Sequence, residues 1–269
     1  VRSIGEEQVV KAATGLIANT DAEAASLVSL YDACPDRVFV VAPGVDLQSF
    51  SPADGKGAAR ERLNIAPDAI LLTFVGRIQP HKGPDVLIKA AAEMVAHSPY
   101  LRAKLAVVIM GGASGSGVNE LENLKSLAKF LKVEDVTHFV DPVSRAVLPD
   151  WYRASDLVCV PSYSESFGLV ALEAQACGTP VVATAIGGLR TAVSDGISGS
   201  LVDGHDPKAW SAVISRLIAE PARRLLLSMG AVEHASHFGW EMSARKTLDV
   251  YDWALSKKAK SSLRLAEDA

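Results

Sequence analysis

Two loops concentrate the side chains that could do chemistry. In the first, Val75-Gly76-Arg77-Ile78-Gln79-Pro80-His81-Lys82-Gly83-Pro84, a Gly-containing loop separates an apolar run from a helical pattern. Arg77 and Lys82, at the end of a strand, can take up the charge that develops on a departing diphosphate. They lie near the N-terminus of the next helix, itself an anion site. Taken alone, the loop reads equally well as a solvated charged turn. In the second, Pro161-Ser162-Tyr163-Ser164-Glu165-Ser166-Phe167-Gly168-Leu169, a loop again follows an apolar run, and a helix is expected to open near Phe167. Glu165 would sit in the loop and Glu173 on the helix, two carboxylates able to accept hydrogen bonds from vicinal hydroxyls. Backbone N–H groups at Phe167, Gly168 and Leu169 could cradle a phosphate or a sugar. The macrodipole alone would account for Glu165. It would not account for Glu173, because a buried carboxylate without a partner is costly.

These loops need strands to carry them. Leu71–Val75, Leu105–Met110, Val136–Val140, Leu157–Val160 and Val181–Ala183 read as strands, and Pro84–His97, Val118–Leu131, Leu169–Ala176 and Ala209–Ile218 as helices between them. The strands are continuously apolar, which predicts a parallel sheet covered on both faces: an α/β, Rossmann-like doubly wound domain. In such sheets ligands bind beyond the carboxyl ends of the strands, where both loops fall. Upstream, a helix (Gly5–Ala13), a strand (Gly15–Ala18), a helix after Asn19-Thr20-Asp21 and a strand (Val38–Val41) are too few to close a sheet of their own. The turn Pro43-Gly44-Val45-Asp46 reads as an interdomain hinge. A helix from about Trp240 to Lys257 and a polar, fraying tail end the chain.

With 269 residues, 49% of them hydrophobic, the chain can bury a substantial core. A net charge of -4 offers no general attraction for nucleic acid or an acidic membrane, so any positive patch is local. Three cysteines, Cys34, Cys159 and Cys177, make no disulfide framework, and no apolar run reaches bilayer length, which fits a cytoplasmic protein. The segment from Val1 lacks the pattern of a signal or transit peptide and an initiator Met, as in a chain that begins inside a longer one or at an unusual start codon. His81 and His205 read as loop histidines, Cys159 and Cys177 as inert core thiols, and the four dispersed tryptophans as packing residues.

Gly76-Arg77, Lys82-Gly83, Glu165-Ser166-Phe167-Gly168 and Glu173 together resemble the donor-site pattern of retaining glycosyltransferases with the GT-B fold. Within that group, Gly76–Pro84, Gly111–Gly115, Pro161–Pro180 and Leu201–His205 look most like the actinobacterial D-inositol-3-phosphate glycosyltransferase family of mycothiol biosynthesis. The resemblance implies transfer of N-acetylglucosamine from UDP-GlcNAc to inositol 3-phosphate, with Arg77 and Lys82 on the diphosphate, Glu165 on the sugar hydroxyls and Glu173 on the ribose. It further implies uracil against the main chain near Val143, donor contacts from Phe167, Gly168 and Leu169, and an acceptor phosphate on Arg2. A structural magnesium ion on main-chain oxygens of Tyr152, Arg153, Ser155 and Thr179 belongs to the same pattern, though spacing alone would not suggest it.

The implied organisation is a remnant of the acceptor-side domain at residues 1–42, the nucleotide-sugar-binding domain at 43–238, a helix at 239–258 packing back toward the first domain, and a tail at 259–269. The family's glycine-rich donor loop, acceptor pocket and N-domain histidine have no counterpart here, and Arg190 stands where the family more often has proline. The expected partners are small-molecule substrates, the missing half in cis or in trans, and a second copy of the chain. Two alternatives stand beside this: a nucleotide-sugar-binding module without activity, and a related transferase with a sucrose-type or phosphatidylinositol-type acceptor. A donor-binding half lacking its partner should also expose apolar surface near residues 1–42 and on the last helix.

Overall fold

The apolar runs form the strands expected of them, and they do so in parallel. The computed structural model describes residues 2–112 and 119–267, with side chains at 5–112 and 119–257. The chain divides into two compact units, residues 1–44 with 238–269, and residues 45–237.

The smaller unit begins with α1 (Arg2–Ala12), β1 (Leu16–Ala18), α2 (Asp21–Tyr31) and β2 (Val38–Val40). β1 and β2 pair in parallel as a two-stranded sheet. α2 starts where its sequence demands. The Thr20 hydroxyl accepts the Glu23 N–H at 3.1 Å, and the Glu23 carboxylate accepts the Asn19 N–H at 2.6 Å, so two backbone donors at the helix entry are satisfied reciprocally.

In the larger unit α3 (Gly55–Leu63), β3 (Ile70–Val75), α4 (Pro84–His97), β4 (Leu105–Met110), α5 (Glu120–Phe130), β5 (Thr137–Val140), α6 (Leu148–Ala154) and β6 (Leu157–Val160) come first. Then follow α7 (Leu169–Ala176), β7 (Val181–Thr184), α8 (Leu189–Ala192), β8 (Gly199–Val202), α9 (Pro207–Ala219) and α10 (Pro221–Ser236). All six strands are parallel, in the order β5-β4-β3-β6-β7-β8. Every residue of β6 and β7 is buried, as strands covered on both faces must be. One apolar cluster joins the sheet to α4, α5 and α9 around Leu87, Met94, Leu124, Trp210 and Ile214, and a second joins it to α3 and α6.

The chain returns to the smaller unit with α11 (Trp240–Glu267). There the Trp253 ring meets the Phe39 ring edge-on at 4.8 Å, and the Ser243 hydroxyl donates to the Ala42 carbonyl at 2.7 Å. A Cβ on Gly44 would come within 2.6 Å of the Trp240 Cα. Close approach therefore requires this glycine, and Gly44 is absent from the positive-φ residues, so the special dihedral expected of the turn is not what selects it. This unit exposes Val9, Ile17, Leu30, Trp240, Met242, Leu248, Tyr251 and Leu255, the apolar surface anticipated from sequence. A pocket of about 510 Å³ lies between α1, β1 and α2, lined by Val9, Val10, Leu16 and Leu27 among others.

Some boundaries differ from those read in the sequence. α7 opens at Leu169 and not at Phe167, because Gly168 takes φ 105°, a left-handed conformation that delays the helix. α11 continues past Lys257 to Glu267, where a fraying tail was expected; the segment is made of good helix formers. β8, with Gly199 and Ser200 in its four residues, has too little β propensity to be read as a strand and forms only by pairing with β7.

Candidate functional site

The strand order fixes where the two loops meet. From β3 the sheet grows through β4 and β5 to one side, and from β6 through β7 and β8 to the other, so the order reverses between the neighbours β3 and β6. A crevice opens beyond the carboxyl ends of strands at such a reversal. The loop after β3 carries Arg77 and Lys82, and the loop after β6 carries Glu165.

The two loops are locked together. The Tyr163 N–H donates to the His81 carbonyl at 2.7 Å. Gly83 sits at φ 68°, and a Cβ there would lie 2.1 Å from the Pro161 carbonyl oxygen, so only glycine permits the approach. Across this junction Lys82 Nζ donates to Glu165 Oε2 at 2.7 Å, in a half-buried ion pair. From the far side the Gly188 N–H donates to the Glu165 carbonyl at 3.0 Å. Arg190, noted as a departure at the next loop, lies in α8 and approaches Asp203 at 3.6 Å.

Arg77 is exposed and forms no ion pair among the described residues. It lines a pocket of about 210 Å³ with Val75, Gly76, Gly111, Gly112, Pro142 and Val143. Arg77 and Val143, expected at opposite ends of one ligand, thus border the same cavity. Of the Gly111–Gly115 segment, Ala113, Ser114 and Gly115 lie outside the described residues, as does the side chain of Arg2. Gly168 and Leu169 stand at the start of α7, where backbone N–H groups have no partner inside the helix. Phe167 is buried beside them.

Glu173 is half-buried on α7 and accepts a hydrogen bond from the Tyr152 hydroxyl at 3.0 Å. Burial pushes its carboxyl above the usual range, opposed by that hydrogen bond and by the nearby Arg145 guanidinium. Burial likewise drives the Tyr152 phenol well up. The resemblance assigns Tyr152 a role through its carbonyl only; the hydroxyl that orients Glu173 carries no signal in the sequence, because its partner lies two elements away and meets it only in the fold.

The four residues assigned to magnesium are drawn to one place. Arg153, Ser155 and Thr179 line a pocket of about 310 Å³, and the Thr179 hydroxyl donates to the Tyr152 carbonyl at 2.6 Å. Among the described residues the carbonyls of Arg153, Ser155 and Thr179 accept no hydrogen bond, so three of the four oxygens are free for a hard cation, while the Tyr152 carbonyl already takes the Thr179 hydroxyl and the Ser155 N–H. The donor set fits such an ion through its main chain only: Asp156, the single carboxylate lining the pocket, is held by Lys56 and Arg60. This pocket lies at the amino ends of β6 and β7, opposite the rim that carries Lys82 and Glu165.

Cys159 and Cys177 are buried, with thiols pushed up to about 12 by desolvation, while Cys34 is exposed. The two buried thiols are inert at neutral pH.

The chain matches the family Glycosyl transferases group 1 over residues 56–231. It is 57% identical over 250 residues to D-inositol 3-phosphate glycosyltransferase 2 of Catenulispora acidiphila, covering 93% of this chain and 58% of that protein. It is 55% identical over 258 residues to D-inositol 3-phosphate glycosyltransferase of Kribbella flavida, covering 96% of this chain and 61% of the relative. The chain therefore spans about three fifths of the length of these relatives. Among solved structures it superposes on sucrose-phosphate synthase from Thermosynechococcus elongatus with a TM-score of 0.85 at 30% identity, over 95% of this chain and 62% of that one. With a parallel sheet that reverses order at the loops bearing Arg77, Lys82 and Glu165, and with these likenesses over nearly its whole length, the chain belongs to the group 1 glycosyl transferases and has the fold of the GT-B enzymes.

Proposed function

We propose that this chain is the donor-binding half of a retaining, cytoplasmic glycosyltransferase that moves N-acetylglucosamine from UDP-GlcNAc to 1D-myo-inositol 3-phosphate in mycothiol biosynthesis. The observation that carries the reading is the Lys82–Glu165 ion pair at the sheet reversal, beside the pocket shared by Arg77 and Val143. Uracil would occupy that pocket against the main chain near Val143, and Glu173, held by Tyr152, would accept from the ribose hydroxyls. The diphosphate would lie between Arg77, Lys82 and the N–H groups of Gly168 and Leu169 at the start of α7. The sugar hydroxyls would take Glu165. Each partner of the ion pair thus has a new partner on the donor, so binding exchanges one charge-assisted bond for others.

As the anomeric C–O bond breaks, negative charge grows on the diphosphate, and Arg77 and Lys82 stabilise it more in the transition state than in the ground state. The acceptor attacks the face that the nucleotide leaves, and a departing phosphate oxygen takes its proton, which retains the anomeric configuration. Arg2 would meet the acceptor phosphate. The names of the relatives support the inositol phosphate acceptor over a sucrose-type one, since those relatives are more similar than the solved sucrose-phosphate synthase. The remaining two fifths of their length would supply most of the acceptor pocket, so this chain alone should bind donor and transfer sugar negligibly.

Calorimetry with UDP and UDP-GlcNAc tests the assignment, with GDP and ADP sugars as controls. Glu173→Ala should weaken UDP and UDP-GlcNAc alike, by about 1.5 to 3 kcal/mol, as for hydrogen bonds to a charged group. Glu165→Ala should spare UDP and weaken the sugar nucleotide relative to it. Equal losses of UDP affinity in both variants would remove the role given to Glu165.

A magnesium ion on the carbonyls of Arg153, Ser155 and Thr179, with that of Tyr152 joining by releasing the Thr179 hydroxyl, would brace the α6–β6 turn and take no part in transfer. Excess EDTA should then lower the melting temperature, and added magnesium restore it; melting that ignores both would dismiss the ion.

A further inference from the structure

Among the described residues, His205 is a polar side chain from the far half of the sheet that reaches the Glu165 loop, and the proposed reaction does not use it. It stands in the turn between β8 and α9, and two hydrogen bonds hold that turn. The indole N–H of Trp210, a fully buried side chain, donates to the Gly204 carbonyl at 3.1 Å, and the Asp206 carboxylate accepts the Lys208 N–H at 3.1 Å to cap α9. From there the imidazole crosses the carboxyl end of β7. Its Nε2 lies 3.1 Å from the Ser162 carbonyl and 3.3 Å from the hydroxyl oxygen of Thr184, the last residue of β7. A carbonyl can only accept, so Nε2 carries the proton. The ring also stacks on Tyr163, centroids 3.7 Å apart and planes within 16°.

The Ser162–Tyr163 segment is therefore gripped from both sides: by His81 on the β3 loop, through the Tyr163 N–H, and by His205 on the β8 turn. Glu165 follows it directly. We infer that His205 is a positioning residue for donor-sugar recognition, acting as a strut that sets the Glu165 loop against Lys82 through its hydrogen bond to the Ser162 carbonyl. This rests on the role proposed above for Glu165. The hydrogen bond, and not the stack, is the working part. Ser162 is 1% exposed, and a buried carbonyl that loses its donor carries the full cost of desolvation. Tyr163, half exposed, tolerates loss of its ring neighbour.

Two substitutions separate these contacts. His205→Phe keeps a ring against Tyr163 and removes the donor; His205→Gln keeps a side-chain N–H and removes the ring. The readout is the ratio of UDP-GlcNAc to UDP affinity, measured by calorimetry on this chain, together with amide exchange over residues 161–168. His205→Phe should reproduce the direction of the Glu165→Ala change, lowering UDP-GlcNAc about three- to tenfold with UDP within twofold, as for loss of one hydrogen bond. Exchange at 161–168 should rise while α4 stays protected. His205→Gln should restore most of the ratio. An unchanged ratio in His205→Phe, with Glu165→Ala still shifting it, overturns the strut and leaves the role of Glu165 intact. Equal loss of UDP and UDP-GlcNAc, or failure of His205→Gln to rescue, overturns it as well. If Glu165→Ala leaves the ratio unmoved, the assignment of Glu165 fails first and the strut falls with it.

Discussion

Lys82→Ala is expected to lower turnover by about 10²- to 10³-fold in a form of the protein that also carries the amino-terminal half of its relatives, the size seen when one preorganised donor to a developing negative charge is removed. Lys82 is a stronger bet than Arg77 because its position is fixed. Its ammonium is half-buried and already held at 2.7 Å from Glu165, whereas Arg77 is exposed and has no ion pair among the described residues. UDP-GlcNAc affinity should fall less than turnover, by about tenfold, since a diphosphate still esterified to the sugar carries less charge than one that is leaving. Because Lys82 and Glu165 touch, the double variant Lys82→Ala/Glu165→Ala should cost less stability than the two single changes together: each single change strands a half-buried charge that the double change removes. Single-turnover kinetics and chemical denaturation measure the two effects. Turnover within a few-fold of the unaltered protein would exclude Lys82 from the charge-stabilising role.

Asp156→Ala should destabilise the larger unit by about 3 to 5 kcal/mol, the usual result of breaking a buried ion pair from one side. Asp156 and Arg60 are 8% and 5% exposed. One Asp156 oxygen accepts from the Arg60 guanidinium at 3.0 Å and from the Leu71 N–H at 2.8 Å; the other accepts from Lys56. The same guanidinium donates to the carbonyls of Ala154 and Pro67. Removing the carboxylate leaves a buried cation without its counter-charge and a buried N–H at the start of β3 without its acceptor. Against a total stability of about 5 to 15 kcal/mol this is a large fraction. It corresponds to a fall of about 6 to 20 °C in melting temperature for a unit of this size. Asp156→Asn should lose less, because the amide oxygen can still accept from Leu71. Asp156 lies at the amino ends of the strands, so UDP affinity measured well below the transition should be unchanged. A melting temperature within about 2 °C of the unaltered protein would contradict the argument.

Much of the fold is legible in the chain through local rules. Strands buried on both faces must be continuously apolar, so β3, β4, β6 and β7 could be read with nearly their observed limits. Loops at strand ends that carry Arg77, Lys82, Glu165 and the start of α7 could be read as the chemical rim, because a parallel sheet has its ligand side at one end. Elements with weak local signals could not. α3 is rich in charge and glycine, β8 contains Gly199 and Ser200, and both form only because the sheet and α6 give them a surface to pack on.

Which distant side chains meet is a matter of the three-dimensional packing. Nothing local pairs Lys82 with Glu165, turns the Tyr152 hydroxyl onto Glu173, closes the Asp156–Arg60 bridge or brings His205 across β7 to Ser162. The Lys82–Glu165 and Asp156–Arg60 contacts depend on β3 lying beside β6, and the His205–Ser162 contact on the order β6-β7-β8; strand order is a property of crossover connections that no window of sequence contains. The residue types proposed to do the chemistry are therefore legible in the chain, while the partners that orient them are set by the tertiary fold.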